Sequence, residues 1–222
     1  METAFGVSNY WQKLFLYCGI LAPIIYLGTD WLAGRLLKGY SFQAQSMSEL
    51  SAVGSPVRPI VVSLTLAACL LMIAFGIGIW RAGGHELLPR IVAGLVIGNA
   101  VTGFIAAAFF PTRYGERPDF VSPNVLIMFL SVVCFVLAMI IGAVAFSGWL
   151  RMVSIAIPVA YVLLAGLRFA KAAASAADQS ESLIGAQERT MGYSFLLWVI
   201  ALAIYLLLLF RQTAAAASGN GG

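Results

Sequence analysis

Charge is what this chain has least of. Of its 222 residues only 10% are Asp, Glu, Lys or Arg, against roughly 25% in an average soluble domain. Thirteen basic and nine acidic side chains cannot cover the water-facing surface of a chain this long. A soluble fold is excluded, and lipid has to be the solvent for most of the surface. The net charge of +4 is spread along the chain without a basic run, which excludes nucleic acid as a partner, and 61% hydrophobic residues exclude disorder.

Histidine and usable cysteine are also missing. His85 is the only imidazole, and Cys18, Cys69 and Cys134 each sit in a separate apolar stretch. This inventory excludes a disulfide framework, a Cys/His zinc site, a haem held between two histidines and an intramembrane zinc hydrolase. A retinal Schiff base needs a lysine deep in a helix, whereas Lys13, Lys38 and Lys171 all lie near segment ends. No metal and no cofactor is expected.

What the chain does have is long uncharged runs. A helix crossing the hydrocarbon core needs about 20 apolar residues, so the gaps between charges locate the spans. Leu14 to Gly34 contains only Asp30, while Pro59 to Trp80, Ile91 to Thr112, Phe120 to Leu150 and Thr190 to Phe210 contain no charge at all. Met152 to Leu167 continues past Arg168 and Lys171 into an alanine-rich stretch. The expected fold is an all-α membrane protein, a six-transmembrane-helix bundle with spans at about 13–34, 59–80, 90–112, 122–148, 151–174 and 188–211. Residues 213–222 read as a flexible tail or linker, and the first span as an uncleaved anchor. Gly76 with Gly78, and Gly94 with Gly98, are small-residue spacings suited to close helix packing, and Asn99 and Thr102 suit an interhelical hydrogen bond. No internal repeat supports an inverted-repeat transporter.

The connections alternate between tight and long, and all the long ones share one membrane face. Counting Lys and Arg alone puts the termini outside. Most of the acids, including Asp30, Glu49 and Glu188, lie on the long-loop face too, as expected if its arginines are paired within a structured site. On that ground the expected location is a membrane crossed several times, with cytoplasmic termini.

The first long loop, Tyr40 to Pro59, is too polar to span and too apolar to be a solvated linker. Ser46-Met47-Ser48-Glu49 matches a capping box, which predicts a short interfacial helix over Met47 to Ala52. Asp30 lies 16 residues beyond Leu14, about 24 Å along a helix and therefore near the same face. Gln187-Glu188-Arg189-Thr190 opens the last span there, with Tyr193 one turn beyond, and Arg168 and Lys171 end the fifth. Carboxylates beside hydrocarbon are costly unless paired, so Glu49 and Glu188 are each expected beside an arginine, Arg58 or Arg189.

The segments SELSAVGSPVRP (Ser48, Glu49, Gly54, Pro56, Arg58) and QERTMGYSFLLW (Glu188, Arg189, Tyr193, Trp198) resemble an uncharacterised prokaryotic integral membrane family, domain of unknown function 998. The resemblance spans about Leu14 to Arg211 and implies a multi-span fold in a prokaryotic plasma membrane, but no activity. Members often carry a histidine near the start of the fourth span, where this chain reads SPNVLIM and Asn124 is the nearest polar side chain.

The leading functional expectation is binding or translocation of a lipid headgroup or small polar solute, with membrane lipids as partners. Its ligand-binding residues are Asp30, Ser48, Glu49, Arg58, Arg168, Glu188, Arg189 and Tyr193, at a charged pocket on the long-loop face. One alternative is an accessory or assembly subunit. Another is a lipid-modifying enzyme with Ser48 or Ser51 as nucleophile and Glu49 or Glu188 as base, which the lack of a second histidine disfavours.

Overall fold

A computed structural model describes residues 2–113, 122–174 and 184–219, with side chains for 10–113, 122–164 and 185–213. The described chain is helical: α1 (Glu2–Leu36), α2 (Met47–Ser51), α3 (Arg58–Ala82), α4 (Leu87–Phe109), α5 (Pro123–Ala145), α6 (Trp149–Ala174) and α7 (Ile184–Gly219). Among the described residues, five helices are long and apolar enough to cross a membrane, and Trp149–Leu164 of α6 is a shorter apolar stretch beside them. The protein is thus a multi-pass membrane bundle. The stretch read as a tail is helical as far as Gly219, in keeping with the high helix propensity of its alanine run.

The uncharged runs become helices because only internal backbone hydrogen bonding survives in hydrocarbon. Their ends are set locally. Ser122 caps α5, its hydroxyl accepting from the Val125 N–H at 3.4 Å ahead of Pro123 in the first turn. Arg151 folds back to donate to the carbonyls of Ala143 and Phe146 at 3.1 and 3.3 Å, a cation at the open C-terminal end of α5. Gly84 and Gly148 adopt positive φ, +54° and +66°, so the α3–α4 and α5–α6 turns reverse within a few residues where a side chain would be strained.

The six long helices close into a ring in which α1 packs on α3, α3 on α4, α4 on α5, α5 on α6, α6 on α7 and α7 on α1. The short α2 touches α1, α3 and α7 across the long-loop end. Glycines set several of the close approaches: a Cβ on Gly76 would meet Ile97, and one on Gly78 would meet Phe15. Gly98 faces Cys134, whereas a Cβ on Gly94 meets nothing. Asn99 makes the expected interhelical bond, its Nδ2 donating to Ser131 Oγ at 2.7 Å, while Thr102 bonds back to its own helix at Gly98.

Phe75, Ile79, Trp198 and Leu202 are fully buried at mid-ring. The Trp198 indole is satisfied there by Ser154 Oγ at 2.8 Å, tying α7 to α6. Outward, Leu70, Phe129, Val144, Val162 and Leu197 are exposed, an apolar skin suited to lipid.

Candidate functional site

Along α1, Leu16, Gly19, Pro23, Asp30 and Ala33 are buried at helical spacing, so Asp30 lies on the inward stripe rather than the lipid face. Arg189 does the same on α7, in line with Leu196, Val199 and Ala203. The two meet as a bidentate pair: Arg189 Nε donates to Asp30 Oδ2 and Nη2 to Oδ1, each at 2.9 Å. Tyr193, one turn further on, donates its hydroxyl to the same Oδ2. Asp30 is 2% exposed and Arg189 6%.

The rest of the guanidinium holds the first long loop. Nη1 donates to the carbonyls of Phe42 and Gln45 at 2.8 and 2.9 Å, with Gly185 O at 3.2 Å, and Nη2 to the Tyr40 hydroxyl at 2.5 Å. All five N–H donors of Arg189 therefore end on protein acceptors. Its plane also faces the Phe42 and Tyr40 rings, with centroids at 5.0 and 5.5 Å. Tyr40 passes the connection on, donating to Ser46 O at 2.8 Å. Burial pushes the Tyr40 phenol up to about 12, against the opposing pull of the Arg189 guanidinium. The loop lies so close to α7 that a Cβ on Gly185 would fall 2.1 Å from Gln45 O.

The loop delivers α2, whose Leu50 is 1% exposed. Its capping box is present, with Glu49 Oε1 accepting from the Ser46 N–H at 3.3 Å. Here the expected ion pairs fail. Among the described residues Glu49 is held by Gln45 Nε2 at 2.8 Å and by the Ser46 N–H, and Glu188 Oε2 accepts the Met47 N–H at 3.0 Å. Neither carboxylate hydrogen-bonds an arginine among the described residues. Arg189 is engaged by the deeper Asp30, and Arg58 donates to Ser51 O at the end of α2. Free backbone N–H groups at the start of the short helix meet the need that arginines were expected to meet.

Inside the ring, below α2, lies a cavity of about 230 Å³. Asp30, Ser48, Ser51 and Glu188 stand at its α2 end; Ala68, Ala100, Met128 and Phe135 supply apolar wall further in. Thr65, Cys69, Asn99 and Ser131 add a few polar atoms at mid-depth. Beyond Met72, Phe135 and Leu196 the ring is filled by Phe75, Trp198 and Leu202, so the chamber is blind. A second cavity, about 250 Å³, opens among the short turns at the opposite end.

Of the eight residues expected to bind ligand, Asp30, Ser48 and Glu188 line the chamber. Arg189 and Tyr193 stand behind Asp30 and hold it; Glu49 and Arg58 brace α2. The Arg168 side chain lies outside the described residues. The expected enzyme groups are not assembled among the described residues: Ser48 Oγ pairs with Ser46 Oγ at 2.8 Å, and Ser51 Oγ donates to Ser48 O at 3.0 Å. Sequence reasoning missed Tyr40, Gly185 and Tyr26, the last of which lines the chamber. Only Gly185, two residues before Gln187, offered a signal, as a point of close backbone approach.

Compared with known proteins, residues 20–205 match the profile of a family described as protein of unknown function (DUF998). No curated protein and no solved structure matches the chain.

Proposed function

The chain belongs to the DUF998 family, whose description carries no activity, and from the geometry of its site we propose that it binds an amphiphile, the apolar chain within the ring and the polar head beneath α2. The observation that carries this is the blind chamber, with largely apolar walls and its charged groups gathered at one end. That gradient matches a lipid-like molecule better than a wholly polar solute, which would leave hydrogen bonds unmade against the inner wall. Its volume, room for about eight waters at ~30 Å³ each, suits one short alkyl chain. The packed layer of Phe75, Trp198 and Leu202 favours holding over passage through the ring.

Of the wider expectations, we retain a prokaryotic plasma membrane with cytoplasmic termini. The burial of Arg189 against Asp30 supports the orientation, since it leaves one fewer free cation on the long-loop face. The proposed binding is tested with protein purified in mild detergent, by extraction and mass spectrometry of retained lipid, beside Gly103→Leu. Gly103 lines the chamber, and a Cβ there meets only Cys69 Sγ at 3.7 Å, so a larger side chain enters the cavity without breaking the bundle. Wild type should retain a defined amphiphile and the variant should not. Equal retention by both would overturn the proposal.

A further inference from the structure

We infer that the occupant of this chamber carries an amine, held as its ammonium by Glu188. The inference rests on the reading of the chamber as an amphiphile site and adds the chemistry of the head group.

Among the described residues the chamber wall holds two carboxylates, Asp30 and Glu188, and no lysine or arginine. Asp30 is already committed, with both oxygens taken by Arg189 and Tyr193. Together Asp30 and Arg189 are neutral. Glu188 differs. Its Oε2 accepts the Met47 N–H at 3.0 Å, and among the described residues its Oε1 accepts nothing. The unbalanced charge of the wall therefore sits on a carboxylate that lines the chamber and has one oxygen accepting no hydrogen bond among the described residues.

Three kinds of head group separate on this wall. A carboxylate or phosphate would meet Glu188 as a like charge in a low-dielectric site and find no cation on the described wall to offset it. A hydroxyl would gain a neutral hydrogen bond. An ammonium would gain a charge-assisted one, roughly twice as strong, and would supply the cation that a carboxylate beside hydrocarbon needs. Its remaining donors have the hydroxyl oxygens of Ser48 and Thr29 on the same wall.

The test uses the full chain in nanodiscs, titrated with decylamine, decanol and decanoate and read by native mass spectrometry. Binding is counted as the part removed by Gly103→Leu, which discounts partition into the bilayer. Decylamine should bind about ten-fold tighter than decanol, with decanoate weakest. Glu188→Gln should bring amine and alcohol level. Decanoate binding as tightly as decylamine, or an amine preference that survives Glu188→Gln, would overturn the inference while leaving the chamber as an amphiphile site. Absence of counted binding for all three probes would overturn the amphiphile reading itself. Should Glu188→Gln not fold, the ranking of the three probes on wild type decides alone.

Discussion

Arg189 and Asp30, 159 residues apart in the chain, face each other through two parallel hydrogen bonds of 2.9 Å inside the long-loop end of the ring. This pair joins the first helix to the last, and through the other donors of Arg189 it fastens the loop that carries α2. Because every donor is engaged within the protein, its first consequence is for folding.

Arg189→Ala leaves Asp30 buried without its cation, and Asp30→Asn does the converse; each should cost about 3–5 kcal/mol. Arg189→Lys should recover little, since an ammonium cannot reproduce the fork. Melting of the variants in detergent checks this. An Arg189→Ala protein that melts with wild type would show that the pair is dispensable.

Gly185→Ala should be destabilising out of proportion to its size, because its methyl would fall 2.1 Å from Gln45 O. A loss of about 1–3 kcal/mol is expected from overpacking of this kind. Hydrogen exchange of residues 40–46 should rise in the variant. Unchanged protection there would contradict the contact.

Glu49→Gln should be mild. Glu49 caps α2 and bonds Gln45 away from the chamber lining, and glutamine keeps an acceptor for the Ser46 N–H. The expected stability loss is under about 1 kcal/mol, with decanol binding unchanged. A variant that folds but loses decanol would return Glu49 to the site, as the sequence had suggested.

Tyr40 sets an alkaline limit. A phenol in the unfolded chain ionises near pH 10, and in the folded protein Tyr40 does so at about 12. The folded state therefore keeps the proton longer, and stability should fall as pH rises from about 10 to about 12. Melting temperatures of wild type and Tyr40→Phe, compared across that range, isolate the effect. Parallel curves would show that Tyr40 does not contribute to it.

Orientation is open to labelling. With the native cysteines replaced, a cysteine at the exposed Gln43 should react with an impermeant maleimide added to intact cells, and one at the exposed His85 should not. The reverse pattern would place the termini outside.

The α2 helix shows what local sequence carries. Ser46 and Glu49 predict its start because a capping box is satisfied within four residues, and the structure has it there. The spans are equally local: a run without charge such as Ile91 to Thr112 has no water-facing alternative, so hydropathy alone dictates a membrane helix. That Asp30, Glu188 and Arg189 share one face also follows from counting residues along helices.

Which arginine meets which carboxylate was beyond that reach. Counting along the chain places Asp30, Glu49 and Glu188 at one membrane face, but partner choice depends on rotation about each helix axis, and rotation is set by packing. Gly19 against Phe75 and Gly185 against Gln45 O fix how α1 and α7 turn toward their neighbours. Once they are so turned, Asp30 occupies the inner stripe opposite Arg189, and Glu188, one residue away and about 100° around the helix, faces the chamber instead. The sequence alone determined that the protein lives in lipid with most of its charges at one end. Tertiary packing decided which of those charges neutralise each other and which carboxylate is left facing the cavity, because a pairing across 159 residues is a property of helix orientation that no local pattern encodes.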